Sequence, residues 1–410
     1  MTPGPKDGSE QRRRTRRDAR LAAVLSPLTP GHIRRANAWS VLQSVRLSGT
    51  TSRAQITEQT GLTAMSVHRL IAELRRRRLV VPAGTSSPGS VGRPSSLFRF
   101  NASIGHVVGV DVGNETTRAV LADLDLERRA RIELRTADIE HDLGGSLSAA
   151  VTTLQEAANV RREGLVGLAV GVPAVTDPDG TILRASQHHV WEGLALGAAL
   201  REATGTDVVV RQDDHLAALA ELRGGACMGL KWAAVLNVGK GIGLGIISDG
   251  KVHVGVHGAA GRVGWIPVRP GGSLDDSMTA LGGVMAADGI IADYHGAGGD
   301  ERVDGALGVF QADAAGDPAA ARAIDLFASR LGWLVGTIVA VLDPEVVVVG
   351  GGISRSFDRL IGPLLARLRE MIATPPPVVP SGLGPDAVVA GALDAGIGLA
   401  DAWLQDRIGA

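Results

Sequence analysis

Apolar positions recur at helical spacing near the front of the chain. Downstream of Ile33, residues Val41, Leu42, Val45 and Leu47 predict an amphipathic helix, and Ser52 is a fitting N-cap for a second one through Gln55, Ile56 and Gln59. Thr60-Gly61-Leu62 reads as a tight turn. Thr63 then caps a third helix in which Val67, Leu70, Ile71 and Leu74 fall at i, i+3, i+4 and i+7, so that face must be buried. The remaining set, Ala64, Met65, Ser66, His68 and Arg69, must point outward. The period then falls to two. Leu79-Val80-Val81 and Leu97-Phe98 predict two strands, separated by a Ser-, Pro- and Gly-rich loop from Gly84 to Gly92. Two strands after such a helix pair make a wing.

Beyond residue 100 the pattern is of short buried strands ending in glycine turns. Val107 to Asp123 predicts a strand, a turn at Asp111 and Gly113, and a second strand over Thr117 to Leu121; Val166 to Val172 and Val208 to Val210 follow. Ala233 to Val238 and Leu244 to Ile247 flank a glycine-rich turn, Val346 to Val349 is another buried strand, and Gly391 to Leu404 reads as a closing helix. Apolar runs such as Val346 to Val349 are far shorter than the ~20 residues needed to span a bilayer, so no membrane partner is expected.

Composition narrows the class. A 410-residue chain with 45% apolar and 21% charged residues fits a soluble protein of two or three domains. Its one cysteine, Cys227, excludes an intrachain disulfide and a multi-thiolate zinc site, and it favours a reducing compartment. The polar, then arginine-rich start does not read as a secretion signal, so a cytoplasmic location is expected. The net charge of −1 conceals a division: residues 1–100 carry 18 Lys and Arg against 5 Asp and Glu, a balance of +13, leaving −14 for the rest. Residues 1–30, with Arg12-Arg13-Arg14-Thr15-Arg16-Arg17, read as a disordered basic arm. Clustered cations of this kind suit the phosphates of duplex DNA, and the alternative is a solubilising tail. The helix pair has helix-turn-helix spacing, which places the outward residues at the start of the third helix where base edges in the major groove are read. Arg69 can reach guanine or phosphate. Arg93, held between Gly92 and Pro94, suits a narrow minor groove. The alternative is a three-helix packing module without DNA.

Asn37 to Asn101, with Thr51-Ser52-Arg53-Ala54-Gln55-Ile56, Thr60-Gly61-Leu62-Thr63 and Gly92-Arg93-Pro94, resembles the winged helix-turn-helix of ROK-family transcriptional regulators. That resemblance implies a winged helix-turn-helix over 31–100 and a two-lobed α/β body of the actin-like ATPase, sugar-kinase type. Lobe I would comprise 101–213 plus 390–410, and lobe II 214–389. It also implies DNA contacts at Arg53, Thr63, Ala64, Met65, Ser66, His68, Arg69 and Arg93.

The body departs from the family's kinases at the positions that matter for chemistry. The phosphate-facing Asp-x-Gly-x-Thr motif has Glu115 where Thr is usual, a carboxylate that would repel a phosphate. Asp213 falls on the catalytic base of the family's Asn-Asp-Ala-Asn, here Gln212-Asp213-Asp214-His215, although an Asp there also serves as a helix cap. Asn237 to Gly245 is either a phosphate turn or a plain hairpin, with Lys240 in place of Thr and able to pair with an anion. The family's sugar-binding Glu and its sugar- and zinc-touching His are replaced by Arg262 and Trp265, and the cysteine zinc motif by Pro270 to Ser277. His253 and His257 do not make a substitute site, so neither metal nor cofactor is expected. Leu342 to Ser354 resembles the family's adenosine-side motif, whose glycines also serve close packing.

Together these imply a DNA-binding regulator, a repressor by analogy, whose kinase-like body is not an enzyme. An effector, if acidic or phosphorylated, would sit between Gln212, Asp213, Arg262 and Trp265, since an arginine in place of glutamate exchanges an acceptor for a donor. The rivals are an ATP-dependent sugar kinase using Asp213 as base and Lys240 for phosphate, and a sequence-blind DNA binder. Reading an inverted repeat requires two modules, so a homodimer or homotetramer is expected.

Overall fold

Thr29 opens α1 (Pro30–Ser48) by accepting a hydrogen bond at Oγ1 from the His32 N–H (3.3 Å), with Pro30 in the first turn. The computed structural model describes residues 29–85, 95–185, 187–268 and 280–409, and it divides into two units. The first holds the N-terminal residues to Asn101 together with Trp403–Ala410. Within it α1 buries Ala38, Val41, Leu42 and Val45. Leu47 is 85% exposed, contrary to the apolar pattern, because two residues beyond Val45 on a helix is the opposite side.

β1 (Thr50–Ser52) leads into α2 (Arg53–Thr60), where Ser52 and Gln55 form a reciprocal capping box and Gly61 ends the helix at φ 68°. α3 (Ala64–Arg76) starts from Thr63, whose Oγ1 accepts from the Ser66 N–H, and buries Val67, Leu70, Ile71 and Leu74. β2 (Val80–Thr85) and β3 (Ser96–Phe100) follow, in an antiparallel sheet ordered β1-β3-β2. β1 was not foreseen, being too short to show a period. Buried Glu73 ties α3 to α1: burial opposes its charge, but Arg34 (2.7 Å) and Arg77 (3.2 Å) outweigh that and hold its carboxyl below the usual range.

The second unit, Ala102–Ala402, contains two five-stranded sheets that repeat one plan. In the first, β4 (His106–Val112), β5 (Thr116–Asp123) and β6 (Arg128–Arg135) form an antiparallel meander, and β7 (Leu165–Val172) and β10 (Val208–Gln212) extend it in parallel beside β4. A small hairpin of β8 (Ala174–Thr176) and β9 (Ile182–Ala185) lies between them in sequence. α4 (Leu143–Ala157) and α5 (Leu196–Thr204) contribute Leu147, Val151, Leu154, Leu196 and Leu200 to the core against this sheet.

α6 (Asp213–Gly224) leads from β10 to the second sheet. There β11 (Ala233–Val238), β12 (Ile242–Ser248) and β13 (Lys251–Val252) form the meander, and β14 (Val346–Gly350) and β15 (Val378–Pro380) add in parallel. α7 (Ala287–Gly296), α8 (Ala306–Ala314), α9 (Pro318–Leu342) and α10 (Phe357–Met371) build the core on this sheet. α11 (Ala387–Gly409) returns to the first sheet, where Leu393 meets Gly109 of β4, and on the way crosses α6 at Gly391 against Leu216.

The expectation that no apolar run approaches bilayer length needs correction. α9 and the segment Gly384–Gly409 are long and apolar enough to span one, with mean hydropathy 1.6 and 1.4. In this fold α9 instead buries Ile324, Phe327, Leu331, Leu334 and Val335 in the core, and α11 buries Val389, Leu393 and Leu404. A helix that is apolar on most sides suits the centre of a large α/β core equally well.

Candidate functional site

Two surfaces gather the candidate residues, one in each unit. In the first, Ala64, Met65, His68 and Arg69 stand exposed at the start of α3, with Met65 78% exposed, and Ser66 is half-buried beside them. Thr63 is also exposed, with its hydroxyl 2.9 Å from that of Ser66. Arg53 is different. Its guanidinium lies 4.7 Å from the Phe98 ring and its Nε is buried without a hydrogen-bond partner, so much of this side chain is held inside the unit. The pairing of β1 with β3 sets Thr51 opposite Phe98, which brings the ring beneath the next helix turn. Arg93 and the basic arm lie outside the described residues.

The second surface is a cleft of about 530 Å³ between the two sheets of the second unit, with turns from both sheets on its walls. The β4–β5 turn supplies Gly113 and Glu115, the β11–β12 turn Gly239 to Gly241, and the turn after β14 Gly351 and Gly352. Lys240 Nζ lies 2.5 Å from Glu115 Oε1. The two side chains that depart from the phosphate motifs thus pair with each other across the cleft, and the anion that Lys240 meets is the protein's own. Asp111 is not at the turn but within β4, buried, with Arg118 at 3.7 Å. Burial pushes its carboxyl up to about 7, Arg118 opposing and Asp386 adding to the rise.

Asp213 is the first residue of α6 rather than its cap: Gln212 holds the N-cap position without a side-chain cap bond, and Asp213 accepts at Oδ1 only from the adjacent Asp214 N–H (3.0 Å) while it lines the cleft. Burial, then the neighbouring Asp214, raise the Asp213 carboxyl well above its usual value, and Arg262 pulls the other way. Asp214, which shared with Asp213 the alternative of a helix cap, lies in the first turn of α6 and is the more tightly held. Gln212 Nε2 donates to its Oδ2 (3.2 Å) and Asn237 Nδ2 to its Oδ1 (3.1 Å), joining the first sheet's edge to β11. His215 places Nε2 3.0 Å from the Ala260 carbonyl, and burial lowers its ring's pKa.

Arg262 and Trp265 also line the cleft. Arg262 Cζ lies 5.4 Å from the centre of the Trp265 ring and Arg184 Cζ 5.9 Å from it. Gln187, on the same wall, is a lining residue that sequence reasoning missed. No group of three or more His, Cys, Asp or Glu side chains placed to hold a metal ion occurs among the described residues, and His253 and His257 are both exposed. The Pro270 to Ser277 segment lies outside the described residues. Cys227 is buried, and burial pushes its thiol up to about 12, with Glu221 adding to the effect.

Two sheets of one plan, crossed by α6 and α11 and facing each other over a cleft lined with glycine turns, define a two-lobed, actin-like ATPase fold of the sugar-kinase type. Residues 107–396 match the model of the ROK family, and the chain belongs to that family. It is 29% identical over 285 residues to a glucokinase of Halalkalibacterium halodurans, covering 63% of this chain and 83% of the relative. A protein described as a putative xylose repressor of Caldicellulosiruptor sp. is 24% identical over 349 residues, covering 80% of this chain and 85% of the relative. Among solved structures, a ROK family transcriptional regulator, a homologue of the Escherichia coli MLC protein, superposes with a TM-score of 0.75 at 23% identity, over 92% of this chain and 99% of that one. That likeness is one of fold.

Proposed function

We propose that the chain is a sequence-specific DNA-binding regulator, a repressor, whose kinase-like body senses a small effector and transfers no phosphate. The observation that carries this reading is the exposed start of α3, the last of three helices that the β1-β3-β2 sheet accompanies, an arrangement that suits a winged helix-turn-helix. The +13 balance of residues 1–100 supports it. Against phosphotransfer stands the Glu115–Lys240 pair, which sets a carboxylate where a kinase must seat phosphate oxygens. Two copies joined through the body would read an inverted repeat.

One observation favours the rival. Asp213 keeps the strand-end position of a general base, and the glucokinase relative shares 29% identity. An ATP-to-ADP assay over a panel of sugars should show no turnover, and clear phosphorylation of any sugar would overturn the regulatory reading. In parallel, footprinting on the chain's own promoter at moderate salt should protect two half-sites. Arg69→Ala should weaken that binding by about 1–3 kcal/mol while changing nonspecific binding less. Equal weakening of both would instead indicate a sequence-blind binder.

A further inference from the structure

The face that α3 turns to solvent changes character along its length. Its exposed start is Ala64 and Met65, and its exposed arginines, Arg69, Arg75 and Arg76, all come later. Met65 is 78% exposed, so this side chain forgoes the core burial that usually accounts for a methionine in a helix. The polar groups beside it are turned inward. Thr63 Oγ1 accepts from the Ser66 N–H (3.3 Å) and donates to Ser66 Oγ (2.9 Å), which draws that hydroxyl back onto the helix. The first turn, Ala64 to Val67, also holds no Asn, Gln, Lys or Arg, the side chains that pair with the edges of adenine and guanine. What this turn presents outward is chiefly apolar: the Ala64 methyl and the Met65 thioether.

Among the groups that unmodified base pairs show in the major groove, the C5 methyl of thymine is the only alkyl one. An unbranched, polarisable methionine adapts its torsions readily to such a small apolar partner. Arg69 follows at i+4 on the same face, with Cβ atoms of such a pair about 5–6 Å apart, so cations flank the apolar spot without occupying it. We propose that Met65 is a specificity-determining residue that packs on the C5 methyl of one thymine in each half-site of the operator, with Arg69 engaging guanine or phosphate beside it. The inference rests on the regulatory reading above and deepens it by naming a base that is read. Guanine, cytosine or adenine at that place would lose water from its edge to a side chain that offers no hydrogen bond in return.

Deoxyuridine tests this on the full chain, because uracil differs from thymine only by that methyl. Each thymine of one half-site, located by footprinting on the chain's own promoter, is replaced in turn, and binding is followed by fluorescence anisotropy at moderate salt. At one position the replacement should weaken binding about threefold to tenfold. Met65→Ala should weaken binding to the thymine duplex by a similar factor and be blind to uracil at that same position. An exposed side chain contributes little to folding, so the variant should melt with the parent; if it melts lower, Met65→Gln, which keeps the length and removes the apolar end, makes the same comparison. A parent indifferent to uracil at every position overturns the proposal. So does a variant that keeps the parent's full sensitivity to uracil, since another residue then reads the methyl. Either result beside a clear footprint leaves the regulatory reading standing, whereas a chain that protects no sequence there loses both.

Discussion

Asp111 shows how a residue can keep a family position and change its consequence. Its carboxyl titrates near 7 because β4 and its neighbours leave it little water, with Asp386 adding to the rise and Arg118 only partly offsetting it. The folded chain therefore holds this proton more tightly than the unfolded chain, whose ordinary value is 3.8. Stability falls as pH rises from about 4 to about 7 and stays at the lower level above that window. Asp111→Asn imitates the protonated form, so its melting temperature should exceed the parent's at pH 8 and converge with it near pH 4. A gap of the same size at both pH values would remove the titration from the explanation. The residue itself was visible in the sequence; its depth was not, because the turn is two positions further on. The setting of Arg53 was hidden for a related reason: no local pattern reveals that strand pairing slides Phe98 beneath it.

Elements were legible where one face is buried along their whole length. Val67, Leu70, Ile71 and Leu74 announced α3 because every position in that series enters the core. α9 carried the same kind of signal, since Arg322, Asp325, Ser329 and Thr337 form a more exposed stripe opposite Ile324, Phe327, Leu331 and Val335, and it was passed over. The crossing of α6 and α11 was silent, because nothing near Gly391 in sequence mentions Leu216. A Cβ at Gly391 would stand 1.8 Å from the Leu216 carbonyl oxygen, so Gly391→Ala should cost about 1–3 kcal/mol and lower the melting temperature. Gly398→Ala, on the same helix with no heavy atom within 4 Å of the new Cβ, should instead be neutral or stabilise by up to about 1 kcal/mol. Similar losses at both sites would mean that close packing at the crossing is not what requires glycine.

For the molecule as a whole, the separation of charge into a basic front and an acidic body was plain from sequence, because net charge needs no folding to be counted. Residues 1–20 contribute seven of the Lys and Arg. Their removal should weaken binding to operator and to random duplex alike and flatten the dependence of log K on log salt. An unchanged slope would show that this segment does not neutralise phosphates. The joining of the β4–β5 and β11–β12 turns was beyond the sequence, since 125 positions separate Glu115 from Lys240. Glu115 and Lys240 are both largely exposed, so their contact across the cleft is worth little by itself and is screened by salt. An incoming anion or a rise in ionic strength would part such a latch at small cost.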